Sequence, residues 1–385
     1  MDSLTQIVLG ASVGVAVLGR RLGPRRAAIA GGILGTLPDL DILIRYDDPV
    51  DNFLLHRGWS HSLVVQAVLT PLFGEAMVRF ITTLRQQRPA TYLAVYLCLA
   101  THALLDALTV YGTRLLWPLW PEPFAVSSVF IIDPLYTLPL LVATVWALCL
   151  GHWTRRIRTV VTVGLALSTA YQGWCITAQQ IATGRARAML DQAGVTPRQM
   201  LVVPTPFNSY LWRALALQDD RYLNLYLPVF GGAEQATSYV HPRGMSMAGC
   251  LGENSAFGKL ARFSRGYYRL DLRQNEIVFS DLRMGLTPSY VFRYAIAAQQ
   301  GDSTAPIPPR RLGGSRGGQA DIDWLLANLL HDPAIRPAEG ATRIDIAALV
   351  PPPGAKKLAA VKTAAIKMLS MGCGTPIPPL ATTLG

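Results

Sequence analysis

Residues 92–108 read Tyr-Leu-Ala-Val-Tyr-Leu-Cys-Leu-Ala-Thr-His-Ala-Leu-Leu-Asp-Ala-Leu. The run approaches the roughly 20 apolar residues that a membrane-crossing helix needs. Two ionisable residues interrupt it. His102 and Asp106 are four positions apart, so a helix puts them on one face. Ionisable groups inside an apolar helix are expensive and usually functional. The stretch therefore points both to a membrane helix and to chemistry near its C-terminal end.

Working outward, five further apolar segments share the first half: Leu4–Leu18, Ala27–Leu37, Ser62–Leu84, Pro134–Leu150 and Val160–Ile181. The last two qualify best as spans. Ser62–Leu84 and Tyr92–Leu108 qualify less fully, and the first two are short enough to be tilted spans or helices packed within a bundle. From about Thr196 the pattern changes. Tyr210–Leu217 and Tyr222–Val229 flank a polar Gln-Asp-Asp-Arg turn, and Arg265–Leu272 and Ile277–Leu282 flank Arg-Gln-Asn-Glu. Tyr290–Ala298 is a further strand candidate. Aromatic and β-branched residues are common there, as strands prefer. The expected fold is a mainly α membrane-embedded helical bundle of about four to six apolar helices, followed by a small β-rich extramembrane domain. The expected domains are residues 1–183 for the bundle with its metal site and 195–300 for the β-rich part. Residues 301–385 read as a linker and a poorly ordered tail, with a weak helical pattern at Leu358–Leu369.

Composition supports this division. Of 385 residues 51% are hydrophobic, mean hydropathy is +0.29, and only 15% are charged. An ordinary soluble protein carries about 25% charged residues, so a disordered or fibrous chain is excluded and a wholly soluble one is disfavoured. The net charge is +11, but the first lysine is Lys259, and the early arginines cluster between apolar runs. That is a membrane-orientation pattern, and no nucleic-acid partner is expected. The five cysteines form no CxxC and no regular spacing, so neither a disulfide framework nor a thiolate metal site is expected. The first ten residues lack a basic stretch before their apolar run and make a poor cleavable signal peptide.

The arginines also assign sides. Arg20, Arg21, Arg25 and Arg26 lie between the first and second apolar segments, Arg85 and Arg88 between the third and fourth, and Arg155, Arg156 and Arg158 between the fifth and sixth. These are alternate loops, which the positive-inside rule places in the cytoplasm. The remaining loops and everything after the sixth segment then face outward. Arg185 and Arg187 run against this, but long translocated domains largely escape the rule.

Three polar clusters fall on the outward side. They are Asp39 and Asp41 after Pro38, His56-Arg57-Gly58-Trp59-Ser60-His61-Ser62, and His102 with Asp106. Three imidazoles and three carboxylates suit a divalent metal. Six candidate ligands exceed the needs of one four-coordinate zinc, so one or two ions per chain are expected. Zinc heads the candidates, before manganese, iron or magnesium. Each residue also has a plainer role. Asp39 and Asp41 suit a turn or cap after Pro38, and His56 and His61 suit an ordinary loop. Asp133, at the outward start of the fifth segment, joins the group on topology but fits helix capping better. Arg57 suits an anionic substrate group or a membrane interface. Ser60 and Ser62 lie in no nucleophile elbow and read as supporting or capping groups.

Met1-Asp2-Ser3-Leu4-Thr5-Gln6, Pro38-Asp39-Leu40-Asp41, the His56–Ser62 run, and Thr101-His102-Ala103-Leu104-Leu105-Asp106 with Tyr111-Gly112-Thr113 resemble, in this order, the YdjM-like family. Members are described as inner-membrane, predicted metal-dependent hydrolases, some under LexA control. The resemblance covers roughly residues 1–180. Phe207–Arg213 and Ser280–Gly285 are similar to the extramembrane part of longer members. The resemblance implies a metal site at Asp39, Asp41, His56, His61, His102 and Asp106, and supplies no substrate. A more distant similarity to zinc-dependent phospholipase C and nuclease-type phosphodiesterases would favour phosphoesters.

The expected function is a membrane-bound metal-dependent hydrolase at the outer face of the bacterial inner membrane, multi-pass, with its C-terminal domain periplasmic. Membrane lipids are its partners, and lipid or lipid-linked phosphoesters its substrates. Asp39 or Asp106, whichever does not ligate the metal, would serve as general base, and Arg57 would assist catalysis. The alternative is a non-enzymatic membrane protein whose structural metal site presents a partner-binding domain. A transporter fits less well, because the ligands cluster at one face and no repeat is evident.

Overall fold

The computed structural model describes residues 1–253, 255–300, 303–314, 317–330 and 333–346. The chain forms two compact units. The first comprises Met1–Arg45, Leu54–Gln179 and Val203–Ser209, and the second comprises Tyr46–Phe53, Gln180–Val202 and the residues from Tyr210 onward.

The first unit is helical. Its elements are α1 (Ser3–Leu22), α2 (Pro24–Thr36), α4 (Leu63–Phe80), α5 (Arg88–Ala107) and α6 (Pro134–Cys149), while α3 (Pro49–Leu54) intervenes and α7 (Arg155–Gln192) contributes to both units. Local chemistry sets the ends. Asp2 caps α1 by accepting from the Thr5 backbone N–H, and Gly23, at φ +86°, turns the chain so that Pro24 opens α2. Asp133 caps α6 through the N–H groups of Leu135 and Tyr136. The tightest packing joins α1 to α2. A Cβ at Gly10 would lie 2.4 Å from the Gly31 carbonyl oxygen, and one at Gly14 would lie 2.6 Å from that of Ala27. Gly10, Gly14, Gly31 and Gly35 thus let the two backbones touch, the small-residue packing common between membrane helices. Around this pair, Val15, Leu18, Ala94, Ala143 and Val161 form one buried cluster, and Val8, Val95, Leu99 and Leu140 form another.

Among the described residues three helices are long and apolar enough to cross a membrane: α1, α4 and α5. This corrects the ranking drawn from the sequence. The segment at Pro134–Leu150 forms a helix of only 16 residues, and α7 continues past the apolar run into polar sequence. Conversely, the short run Leu4–Leu18 extends to 20 residues by including Arg20 and Arg21.

The second unit is rich in β-structure. A five-stranded sheet has the order β1 (Gln199–Pro204), β2 (Leu211–Leu217), β3 (Arg221–Pro228), β4 (Thr237–Pro242), β11 (Arg343–Ile344). A four-stranded sheet has the order β10 (Ser303–Leu312), β9 (Arg293–Gln300), β6 (Glu276–Asp281), β5 (Tyr268–Arg273). β7 (Gly285–Leu286) pairs with β8 (Ser289–Tyr290), and α8 (Ala256–Phe263) and α9 (Gln319–Leu329) complete the unit. The two expected hairpins form, β2 with β3 and β5 with β6, both antiparallel. Gln274 and Asn275, at the second turn, both take positive φ, as primed hairpin turns require.

The reading of 301–385 as linker and tail does not hold for its first part. Ser303–Leu312 adds an edge strand to β9, despite its three prolines, with a register shift between Pro306 and Arg310. Gln319–Leu329 is a helix that buries Trp324 against Tyr226 and Tyr239. Leu358–Leu369 lies outside the described residues. The expectation of no disulfide framework meets one exception, since Cys250 is disulfide-bonded, whereas Cys98, Cys149 and Cys175 are free thiols.

Candidate metal centre

Four of the six expected ligands converge. Asp39, His61, His102 and Asp106 each offer one ligand atom, and these atoms all lie within 4.8 Å of one another. Asp39 comes from the 3₁₀ turn Leu37–Leu43 that follows α2, His61 from the turn Trp59–His61 before α4, and His102 and Asp106 from the last turns of α5. As the spacing required, the α5 pair shares one face. Three of the four are buried, and Asp39 alone is partly open, its side chain 30% exposed.

The hydrogen bonds behind the imidazoles fix their state. His102 Nδ1 lies 2.6 Å from the Gly35 carbonyl oxygen, which can only accept. Nδ1 therefore carries the hydrogen. The Ser60 hydroxyl donates its single hydrogen to Asp41 Oδ2 at 2.6 Å, so its 2.9 Å contact with His61 Nδ1 must run from the imidazole. Each neutral ring then directs a bare Nε2 lone pair into the cluster. The two Nε2 atoms are 3.1 Å apart. Asp39 Oδ1 lies 3.4 Å from both, and Asp106 Oδ2 lies 3.6 Å from His61 Nε2. Four acceptors thus meet with at most one proton between the rings. Crowded acceptors are costly unless they are satisfied; Arg57 offsets only the Asp106 carboxylate, and the group has the composition to hold a divalent cation. The N₂O₂ donor set suits zinc, iron or manganese.

Outside the membrane-spanning helices, the charges agree. Burial lowers the His61 pKa, favouring the neutral ring that ligation needs.

Asp41 and His56, the other two expected ligands, pair with each other beside the cluster. His56 Nδ1 lies 2.6 Å from Asp41 Oδ1, while Asp41 Oδ2 accepts from Ser60 and from the Arg57 backbone N–H. Asp41 thus reaches the cluster through Ser60 and His61, the carboxylate-to-histidine support common behind metal ligands. Arg57 places its Nε 3.1 Å from Asp106 Oδ2 and donates to the Thr109 hydroxyl. Its φ is +65°, uncommon for a residue with a Cβ and typical of functional loops. Asp133 does not join the group. It caps α6 and accepts from the Tyr171 hydroxyl at 2.9 Å.

Sequence reasoning missed Gln6, Thr109 and the Gly35 carbonyl. Gln6, fully buried in α1, donates to Asp106 Oδ1 at 3.1 Å. The Met1 amino group also contacts that oxygen. A lone glutamine in an otherwise apolar helix was the available signal for the first; a backbone carbonyl has none.

Comparison with known proteins bears on the membrane part of the chain. Inner membrane protein YbcI of Escherichia coli (strain K12) is 36% identical over 105 residues, which is 27% of this chain and 58% of YbcI. The chain thus spans little more than half the length of that relative. No solved structure matches. The family model described as YdjM inner membrane protein matches residues 1–182, the stretch that contains all four clustered residues and both supporting ones, so the N-terminal part of this chain is similar to that family.

Proposed function

We propose that the chain is a membrane-bound, metal-dependent hydrolase acting on lipid or lipid-linked phosphoesters. One observation carries the reading: two imidazole Nε2 atoms and two carboxylates, from three separate segments, bring one ligand atom each within 4.8 Å of one another, with both Nδ1 hydrogens committed elsewhere. Asp39, His61, His102 and Asp106 would hold the ion, zinc first among the candidates. A bound divalent ion supplies acidification of a water and charge to counter a phosphoryl oxygen. The chain's own residues do the rest. Asp39, the partly open member, is where a substrate would reach the cluster. Arg57 offsets the negative charge of Asp106 and stands ready to orient an anionic substrate group.

The surroundings support a lipid substrate. Between and after the two aspartates, Leu40, Ile42 and Leu43 are exposed, Ile42 at 70% and Leu43 at 73%. The segment that carries Asp39 thus turns apolar side chains outward, which suits a bilayer surface. The side assignment gains support too. Tyr46–Phe53 and the C-terminal β-structure belong to one unit, which supports reading that loop segment and the residues after α7 as lying on one side of the membrane. That face is the periplasmic one under the positive-inside rule.

A second reading has an observation of its own. Four protein ligands suffice to close a tetrahedral structural zinc site. The deciding experiment is elemental analysis of the detergent-purified protein beside a His61→Ala/His102→Ala double variant, followed by phosphodiester and phospholipid hydrolysis assays with the metal found. Stoichiometric metal and turnover, both lost in the variant, support the hydrolase. Metal without turnover on any such substrate favours the structural site. Absence of metal after reconstitution with zinc, manganese and magnesium removes both readings.

A further inference from the structure

The residues between the two halves of the site have their own anchorage. Asp41 and His56 belong to the first unit, but Tyr46–Phe53 between them belongs to the second. Its tip is closed internally: Asn52 bonds the Tyr46 backbone N–H and carbonyl at 2.7 and 2.6 Å, and Asp48 Oδ1 accepts from the Val50 N–H. Lys259 Nζ, on α8, then grips it from outside, 3.0 Å from Asp48 Oδ2 and 2.8 Å from Asp51 Oδ2. The Phe53 ring lies 4.1 Å from Phe292 and 4.8 Å from Phe263, and Val50 is fully buried. Behind Phe263 stands the Arg283 guanidinium, 4.7 Å from the ring and locked in place by Asp281. This gives a role to the Ser280–Gly285 stretch that the sequence singled out and the metal centre does not use.

At its other end the same loop is closed by Asp41, through His56, the Arg57 N–H and Ser60. A loop fixed at tip and base transmits position, where a free loop of this length would not.

We propose that Tyr46–Phe53 is a positioning strap: held by Lys259 and the Phe263/Phe292 ring pair, it sets the distance between Asp41 and the His56–Ser60 turn, and through Ser60 the orientation of the His61 ring. The proposal rests on the metal reading above. Lys259 and Phe53 are positioning residues and touch no ligand atom.

Cobalt(II) titration of the full-length protein, read by its visible absorption, tests this without a substrate. Lys259→Glu and, separately, Phe53→Ala should each weaken cobalt binding about tenfold, the low end for lost support behind a metal ligand, and alter the absorption band. Lys259→Arg should bind as the wild type does. A charge exchange, Lys259→Asp with Asp51→Lys, should restore part of the affinity. Asp321→Asn, which breaks an ion pair with Arg336 elsewhere in the second unit, should leave cobalt binding intact. Wild-type affinity in both Lys259→Glu and Phe53→Ala overturns the strap. An equal loss in Asp321→Asn also overturns it, by showing only a dependence on overall stability. A wild type that binds no cobalt overturns the metal reading itself, a separate and distinguishable failure.

Discussion

The Nε2 atoms of His61 and His102 face each other at 3.1 Å, and each ring has already committed its Nδ1 hydrogen elsewhere, to Ser60 and to the Gly35 carbonyl. Neither ring can turn without abandoning a buried hydrogen bond. The pair is therefore preorganised for a cation before one arrives. Removing either ring should abolish stoichiometric metal. Ser60→Ala keeps all four ligands but frees the His61 ring, and should weaken metal affinity roughly 10- to 100-fold, the usual cost of losing such a support. Competition with a chelator of known affinity measures it. Unchanged affinity in Ser60→Ala would mean that the hydroxyl does not orient the ring.

The α1–α2 contact gives a second prediction. At Gly31 an added Cβ would stand 2.2 Å from the Gly10 carbonyl oxygen, against backbone that cannot give way. Gly31→Ala should force the helices apart and cost at least the 1–3 kcal/mol or so typical of overpacking. Because Gly35 closes the same seam and its carbonyl holds His102, metal affinity should fall along with thermal stability. Gly173, inside α7 with open space where a Cβ would go, is the control, and Gly173→Ala should leave metal affinity unchanged and hold or raise stability, by about 0.5–1 kcal/mol. Melting temperature and metal content of the two variants decide the matter.

Residues 92–108 and the arginine loops were enough to foresee a helical membrane part with chemistry at one end, because hydropathy and helical periodicity are local properties. The convergence of Asp39, His61, His102 and Asp106 was legible as a set of residue types on one side. The division of labour within it was not. Asp39 and Asp41 lie two residues apart in one 3₁₀ segment, and only three-dimensional hydrogen bonding puts one in the cluster and the other behind it. Ser303–Leu312 was hidden for a different reason. Its Pro and Arg content imitates a linker, and it becomes a strand only because β9 offers an edge. The anchorage of Tyr46–Phe53 to residues some 200 positions away leaves no local trace either.

The second unit has a buried ionic knot whose pH behaviour follows from its geometry. Glu339 accepts from Asn224, Tyr226 and Arg336 and lies 2.6 Å from His241 Nε2. Burial would raise its carboxyl, but His241 and Arg336 lower it to about 2. Burial also lowers His241. Both groups bind protons more readily when unfolded, so stability falls as pH falls. The His241 contribution should fade below its ordinary value of 6.5, and that of Glu339 between its ordinary 4.5 and about 2. Glu339→Gln should remove the lower step and cost roughly 3–5 kcal/mol, as breaking one side of a buried pair does. Tryptophan fluorescence of the full-length protein, followed across pH and denaturant, reports both. A variant that retains the lower step would assign it to another carboxylate.

Arg57 combines two properties that substitution can separate. Its backbone sits at φ +65°, where a Cβ costs on the order of 1 kcal/mol and glycine costs nothing. Its side chain sets a positive charge beside Asp106. Arg57→Ala and Arg57→Gly both delete the charge, but only the glycine relieves the backbone. Arg57→Gly should therefore melt above Arg57→Ala, by a few degrees for a difference of that size. If the guanidinium serves catalysis, both variants should keep their metal and lose hydrolysis to the same extent. If it serves only to neutralise Asp106, both should retain hydrolysis and shift metal affinity instead. Measuring melting temperature, metal content and turnover on the same three proteins separates the backbone effect from the charge effect. It also assigns the charge to substrate or to ligand.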